Sequence, residues 1–355
     1  MNIKKSTTLV MLNTIVLILF IESISFGILH YKGIDSPFLI NTKTAVKGAR
    51  AGEKYRTLDP HLGYAHGEDE SYVKTLSSEY TWVAGFVVYE KSLTEVNHPV
   101  ILTLGGSTTD GVNYGYSWPE ELSKILKEKG LPGSVVNGGT GGYSTNQELL
   151  KLIRDGLEFQ PDIIISYSGI NDRGKYSQLP YPMVSKYQKE LFETLAKKSY
   201  PKFLPSSITL LKRLYNKEEK TQLFYTFGMK SKLGHSEQYK RNIQLMNAVS
   251  KANGAEFVAF IQPFAFFNSV HANDKNIEKG DEYKHDVLSL YKDIISLPNH
   301  LSYVHDATQI LEGHKDVYKD DGVHLKQAGD KIVARYIYGK IEGLIADNSV
   351  PAKVK

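Results

Sequence analysis

The sequence predicts a three-layer α/β/α sandwich around a mostly parallel five-stranded sheet, and three observations carry that reading. Apolar runs at Val100-Ile-Leu-Thr-Leu104, Ser134-Val-Val-Asn137 and Asp162-Ile-Ile-Ile-Ser-Tyr-Ser168 each stop abruptly. Unbroken runs of β-formers are what strands covered on both faces look like. Each run is followed by a turn rich in Gly, Ser or Asn: Gly105-Gly-Ser107, Gly138-Gly-Thr-Gly-Gly142 and Gly169-Ile-Asn171. Helical segments stand between them, the βαβ alternation of a parallel sheet whose loops converge on one edge.

Composition sets the outer bounds. A chain of 355 residues, 41% hydrophobic and 23% charged, can bury a full core, which excludes a disordered or fibrous protein. The formal charge of +4 is small for this size, and no Lys/Arg stripe is interleaved with aromatics, which argues against nucleic acid as a partner. The absence of cysteine removes disulfides, thiolate metal sites and cysteine nucleophiles.

Taken in order, residues 9–29 form a run interrupted only by Glu22 among charged groups and preceded by Lys4 and Lys5. Basic residues before an apolar segment hold its start in the cytoplasm, so the rest of the chain is expected outside, in the periplasm or at the cell surface. Residues 1–30 are therefore read as a retained, single-pass signal anchor, with Ser23-Ile-Ser25 as the weaker, cleavable alternative. Residues 31–96 read as a stalk and a small β-rich elaboration, and 97–348 as the main domain. In that domain Ser117 caps a helix that has Pro119 in its first turn and stops at Gly130. Ser144-Thr-Asn-Gln147 has capping-box spacing and opens a helix expected to reach Phe159, with Leu149, Leu150, Ile153 and Leu157 on one face. Residues 173–236, with four prolines and scattered lysines, read as an insertion or lid overhanging the loop edge. Regular order returns as helix 237–253, strand 256–261, helix 282–296, a short strand at Leu301–Val304 and a closing amphipathic helix from Lys326 to Ile345.

The loops of one sheet edge carry the chemistry. Ser107 ends the first buried run and is the candidate nucleophile. A serine hydroxyl is weakly nucleophilic near neutral pH, so acyl transfer requires an imidazole, a carboxylate that orients it and donors for the developing oxyanion. His324 supplies the imidazole, and Asp321, three residues earlier, can turn its carboxylate back onto the ring. Three donors are available for the oxyanion: the Ser107 N–H, the Gly142 N–H and the Asn171 side-chain amide. His305-Asp306 is a second polar pair, read as strand-end packing.

The order of these pieces resembles the SGNH (GDSL-type) hydrolase superfamily. Four blocks carry the likeness: Gly105-Gly-Ser107, Asn137-Gly-Gly-Thr-Gly-Gly142, Gly169-Ile-Asn-Asp172 and Asp321-Gly-Val-His324. The resemblance implies a flavodoxin-like sheet, a triad of Ser107, His324 and Asp321, and an oxyanion hole of Ser107, Gly142 and Asn171. It requires no metal or organic cofactor. Gly106 departs from the family pattern, in which many members have Asp, and Gly139 competes with Gly142 for the role in the second block. The expected activity is removal of O-acetyl or other small acyl groups from an extracytoplasmic glycan, or from another small ester, through an acyl-serine. An O-acyltransferase of an envelope polysaccharide, a lipase or thioesterase, and a non-catalytic glycan-binding protein of the same fold remain as alternatives; oligomeric state is left open.

Overall fold

A computed structural model describes residues 2–31, 56–59, 61–66, 78–111, 115–173, 206–215, 233–268 and 281–348. The chain divides into two units, Met1–Gly52 with Tyr187–Met229, and Glu53–Lys186 with Lys230–Lys355.

The larger unit is built on a seven-stranded sheet. Its parallel part consists of β5 (Val100–Gly105), β6 (Ser134–Asn137), β7 (Ile163–Ser168), β8 (Glu256–Ile261) and β9 (Val304–Asp306) in the order β6-β5-β7-β8-β9. Five parallel strands are expected, four of them where they are found and the last displaced, and the first strand lies inside the sheet with its successors on either side, which creates a switch point between β5 and β7. Two antiparallel strands, β3 (Thr81–Val83) and β4 (Phe86–Val88), extend the sheet beyond β6. A separate hairpin, β1 (Arg56–Asp59) with β2 (Gly63–His66), completes the β-structure described.

Period-two alternation divides the strands between two cores. Ile101, Ile163, Ile165, Val258 and Phe260 face one side, with α3 (Trp118–Glu128) and α8 (Gln327–Asn348) packed over them through Trp118, Leu122, Val333 and Ile337. Leu102, Leu104, Ile164, Phe257 and Ile261 face the other, under α4 (Thr145–Arg154), α6 (His235–Ala252) and α7 (Asp281–Ile294). With both faces covered, every residue of β5, β6 and β7 is buried, which is why these runs lack polar alternation. Helix starts follow the sequence signals: Ser117 Oγ accepts from Glu120 N, and Ser144 with Gln147 forms a capping box.

Three expectations are corrected. Helix α4 stops at Arg154, and Gly156–Phe159 is a separate 3-10 turn. Its inner face is Thr145, Glu148, Leu149 and Leu152, whereas Ile153 is 47% exposed; the two polar members of the buried stripe disguised it. The last strand begins at Val304, because Leu297–Asn299 forms a 3-10 turn and the N–H groups of Leu301 and Val304 are engaged with Leu297 O and Leu301 O.

The smaller unit contains α1 (Asn2–Tyr31) and α5 (Ser206–Tyr215), which pack on each other. Within α1, Val10–Leu29 is long and apolar enough to cross a membrane, and such a helix at the start of a chain also meets the description of a signal sequence. Of the stalk and elaboration expected at 31–96, residues 32–55, 60 and 67–77 lie outside the described residues, as do 174–205 and 216–232 of the expected lid.

Candidate active site

Each predicted residue stands on the loop edge formed by the C-terminal ends of the parallel strands. Ser107 follows β5 directly and opens the four-residue helix α2 (Ser107–Asp110), so its N–H is among those a helix leaves unpaired. The Asp321–His324 loop lies between β9 and α8 and is pinned at several points. Gly322 takes the left-handed conformation (φ 68°), its N–H donates to Lys319 O and its C=O accepts from Ala265 N, while Lys319 N donates to His324 O at 2.8 Å.

This pinning aligns three side chains. His324 Nε2 lies 2.7 Å from Ser107 Oγ, and His324 Nδ1 is hydrogen-bonded to Asp321 Oδ2. Asp321 Oδ1 also accepts the N–H groups of Val323 (3.0 Å) and His324 (2.9 Å). Partial burial pushes the Asp321 carboxyl up, but the His324 ring and these backbone donors outweigh burial and hold it well below the usual carboxylate range. The carboxylate thus stays ionised and favours the imidazole tautomer with its proton on Nδ1, leaving Nε2 to accept from the serine.

The glycine loop and Asn171 meet beside this chain. Asn171, in the 3-10 turn Ile170–Asp172 after β7, donates from Nδ2 to Tyr143 O at 2.9 Å. That bond orients the amide and uses one of its two N–H groups. Around the loop, Gly138 N is engaged by Thr103 O, Gly139 N by Asn137 Oδ1, Thr140 N by Gly105 O, Gly141 N by Asp110 Oδ2 and Tyr143 N by Thr140 O. Gly142 is exposed, and its N–H has no hydrogen-bond partner among the described residues. Of the two glycines in question, Gly139 has its N–H engaged and Gly142, among the described residues, does not. Gly106 is explained at the same point, since a Cβ there would stand 2.5 Å from Asn171 Nδ2 and 3.2 Å from Tyr143 O.

The supports of this loop were not legible as functional residues. Tyr64 OH donates to Gly141 O at 2.9 Å, Tyr143 OH donates to Tyr64 O at 2.5 Å, and the two rings meet edge to face. His66 Nε2 is 3.0 Å from Asp110 Oδ1, and the other oxygen of Asp110 holds Gly141 N, so a buried pair braces the loop from the β1–β2 hairpin. From the opposite side Asp172 Oδ1 accepts Thr145 N (3.0 Å) and Thr145 Oγ1, and Asn242 Nδ2 donates to the same hydroxyl at 2.9 Å. Glu148 takes the hydroxyls of Ser166 and Ser168. Burial raises both acids, Asp172 to about 7 against its Thr145 hydrogen bonds, and Glu148 to about 8 with the charge of Asp172 adding to the rise. Asp110 and Asp172 could have been found as polar members of the Gly-rich blocks; nothing local at Tyr64 or His66 signals a partner 77 or 44 residues away.

Ser107, Thr108, Gly111, Tyr116, His324, Leu325 and Asp330 line a small recess beside the serine. Burial, with Glu121 and Glu120 nearby, raises the Asp330 carboxyl well above its ordinary value, only partly countered by Lys319. A larger groove lies elsewhere, between Phe86, Leu93, Arg154 and Phe159, and touches none of the motif residues. The His305 ring packs tilted against Phe260 with centroids 5.3 Å apart, and burial lowers its pKa, in keeping with the packing role read for it.

The model of the GDSL-like Lipase/Acylhydrolase family matches residues 103–332, well over half of the chain. No curated protein matches. Similar solved structures include a GDSL-like lipase from Bacteroides thetaiotaomicron, 16% identical over 69% of this chain and 89% of that one with a TM-score of 0.40. Another is a catalytic mutant of an acetylxylan esterase from Geobacillus stearothermophilus, 15% identical over 69% of this chain and 95% of that one with a TM-score of 0.42. Its family match and its motif order together make this chain a member of the GDSL-like lipase/acylhydrolase family, a serine ester hydrolase.

Proposed function

We propose that this esterase removes O-acetyl or other small acyl groups from an extracytoplasmic glycan while held at the membrane by α1. The observation that carries the catalytic part is the continuous path from Asp321 through His324 to Ser107 Oγ. His324 accepts the Ser107 proton as Oγ attacks the ester carbonyl, and the negative charge formed on the carbonyl oxygen is received by the N–H groups of Ser107, Gly142 and Asn171. Collapse returns the proton to the departing sugar oxygen, and a water activated by His324 releases the acyl group from the serine. Lys4 and Lys5 ahead of Val10–Leu29 favour an anchor with its start in the cytoplasm, and the glycan follows from an outward-facing domain.

An organophosphonate should form an adduct on Ser107 that mass spectrometry detects in the native protein and not in His324→Ala; a folded protein that takes up no label would sink the assignment. Acetate release from acylated polysaccharides, measured with and without added acceptor sugars, tests the substrate. Label uptake without release from any glycan would reject the glycan and keep the esterase, whereas transfer to the acceptor in place of release would make it an acyltransferase. An N-terminus beginning near Phe26 in the purified native protein would replace the anchor by a cleaved signal peptide.

A further inference from the structure

Glu22 is the one charged residue between Lys5 and His30. In the smaller unit its carboxylate caps the first turn of α5, a helix 184 residues further along the chain. Ser206 N donates to Glu22 Oε2 at 2.6 Å, Ser207 N donates to Oε1 at 3.2 Å, and the Ser207 hydroxyl is also hydrogen-bonded to Oε1. An acid at a helix start satisfies N–H groups that the helix leaves open, and these donors compensate a carboxylate carried within an apolar span. From Val10 to Leu29, Glu22, Ser25, Phe26 and Leu29 are the less exposed positions, a single stripe at helical spacing, and α1 packs on α5. Every other position of that run is open, Val10 to Phe20 among them.

α5 has an open face of its own. Ile208, Leu211 and Leu214 are 42%, 53% and 68% exposed and follow one another at three-residue steps along one side. Lys212 and Arg213 stand in the same ten residues, the composition of helices that lie in a lipid interface. Glu22 precedes Leu29 by seven residues, about 10 Å along a helix, so the start of α5 is fastened below the outer end of the span. We infer that α5 seats in the outer leaflet of the bilayer beside α1, with phospholipid covering Ile208, Leu211 and Leu214, so that the chain meets the membrane at two places. The inference rests on the reading of α1 as an anchor.

The chain has no cysteine, so single positions can be labelled in the full-length protein. A bimane probe would be placed in turn on Leu17→Cys in α1, on Leu211→Cys and Leu214→Cys in α5, and on the exposed Glu128→Cys of the larger unit. The protein would be reconstituted in vesicles of phosphatidylethanolamine and phosphatidylglycerol and read with iodide in the water or doxyl groups on the acyl chains. The expected result is loss of emission to doxyl lipid and protection from iodide at 17, 211 and 214, with the reverse at 128. Iodide quenching at 211 and 214 with lipid quenching retained at 17 would overturn the inference and leave the anchor standing. Iodide quenching at 17 as well would overturn the anchor and the inference with it. In Glu22→Ala the probe at 211 should turn to iodide while that at 17 stays in lipid; an unchanged 211 would overturn the part assigned to the Glu22 cap.

Discussion

Asp321, His324 and Ser107 are joined by contacts that one short motif and one strand end specify, whereas Gly142 and Asn171 are held by groups scattered from Leu62 to Asn242. In the first arm the ring is oriented by a residue three positions away, whose carboxylate also holds the N–H groups of its own loop. In the second, the loop from Gly138 to Tyr143 is tied down by Tyr64, by Asp110 with His66 behind it, and by the amide of Asn171, while Gln147 donates to Leu62 O beside it. Orienting a base needs one partner at one distance, while presenting several donors to a charge that does not yet exist needs the backbone itself immobilised. The local arm should therefore fail sharply at single residues and the distributed arm by degrees.

The largest expected effect tests the local arm. Asp321→Asn should lower turnover on the order of 10³- to 10⁴-fold, because an amide holds the imidazole in the wrong tautomer and cannot balance its charge. Asp320→Asn should change it little, since the loop hydrogen bonds to the ring and to the Val323 and His324 N–H groups all come from Asp321. Steady-state kinetics of the two variants on a small activated ester decide the assignment, and equal losses would remove the distinction.

The distributed arm has its largest effect at Asn171. Asn171→Ala should cost about 10²- to 10³-fold in kcat with a smaller change in KM, because the bond strengthens chiefly in the transition state. A loss confined to KM would mean that Asn171 binds substrate without stabilising the oxyanion.

That same contrast marks how much was legible. Four of the five parallel strands, the helix starts and the four blocks could all be read, because burial on both faces, capping and motif order are local signals, whereas β9 is displaced from the run expected at Leu301–Val304. Ile153 was misassigned to the core because Thr145 and Glu148 occupy the buried stripe of α4, where apolar periodicity loses its meaning once a polar network is packed inside. The pairing of β4 with β6 and the hydrogen bonds of Tyr64 and His66 join segments 44 to 79 residues apart, and no local pattern reports such a partner.

Tyr64→Phe sharpens the comparison further. It keeps the ring against Tyr143 and removes the hydroxyl that donates to Gly141 O, a loss of about 1 kcal/mol, or roughly fivefold in kcat if the loop responds fully. Combined with Asn171→Ala its effect should shrink, since both act through one loop; combined with Asp321→Asn it should persist in full. Equal persistence in both combinations, measured as kcat/KM in a double-mutant cycle, would dissolve the division into two arms.

The smallest effect on rate and the clearest on stability is expected at Glu148. Its carboxyl, buried with Asp172 behind the Asn171 turn, is pushed up to about 8 and that of Asp172 to about 7, so both hold protons in the folded protein at pH values where the unfolded chain has released them. In that window the unfolded state binds fewer protons, and stability must fall as pH rises, by at most about 1.4 kcal/mol per pH unit for each such proton. The contribution is fully present below the ordinary carboxylate range and is lost on passing through about 7 to 8. Glu148→Gln carries no ionisable proton yet retains groups for Ser166 and Ser168, so the slope of unfolding free energy against pH between about pH 5 and pH 8 should flatten, and the variant should gain relative to the native protein at the alkaline end. Denaturant midpoints at the two ends of that range measure it. A slope identical in the native protein and in Glu148→Gln would mean that Glu148 is ionised in the fold, and that the polar layer behind the oxyanion arm is held by charge instead of by a retained proton.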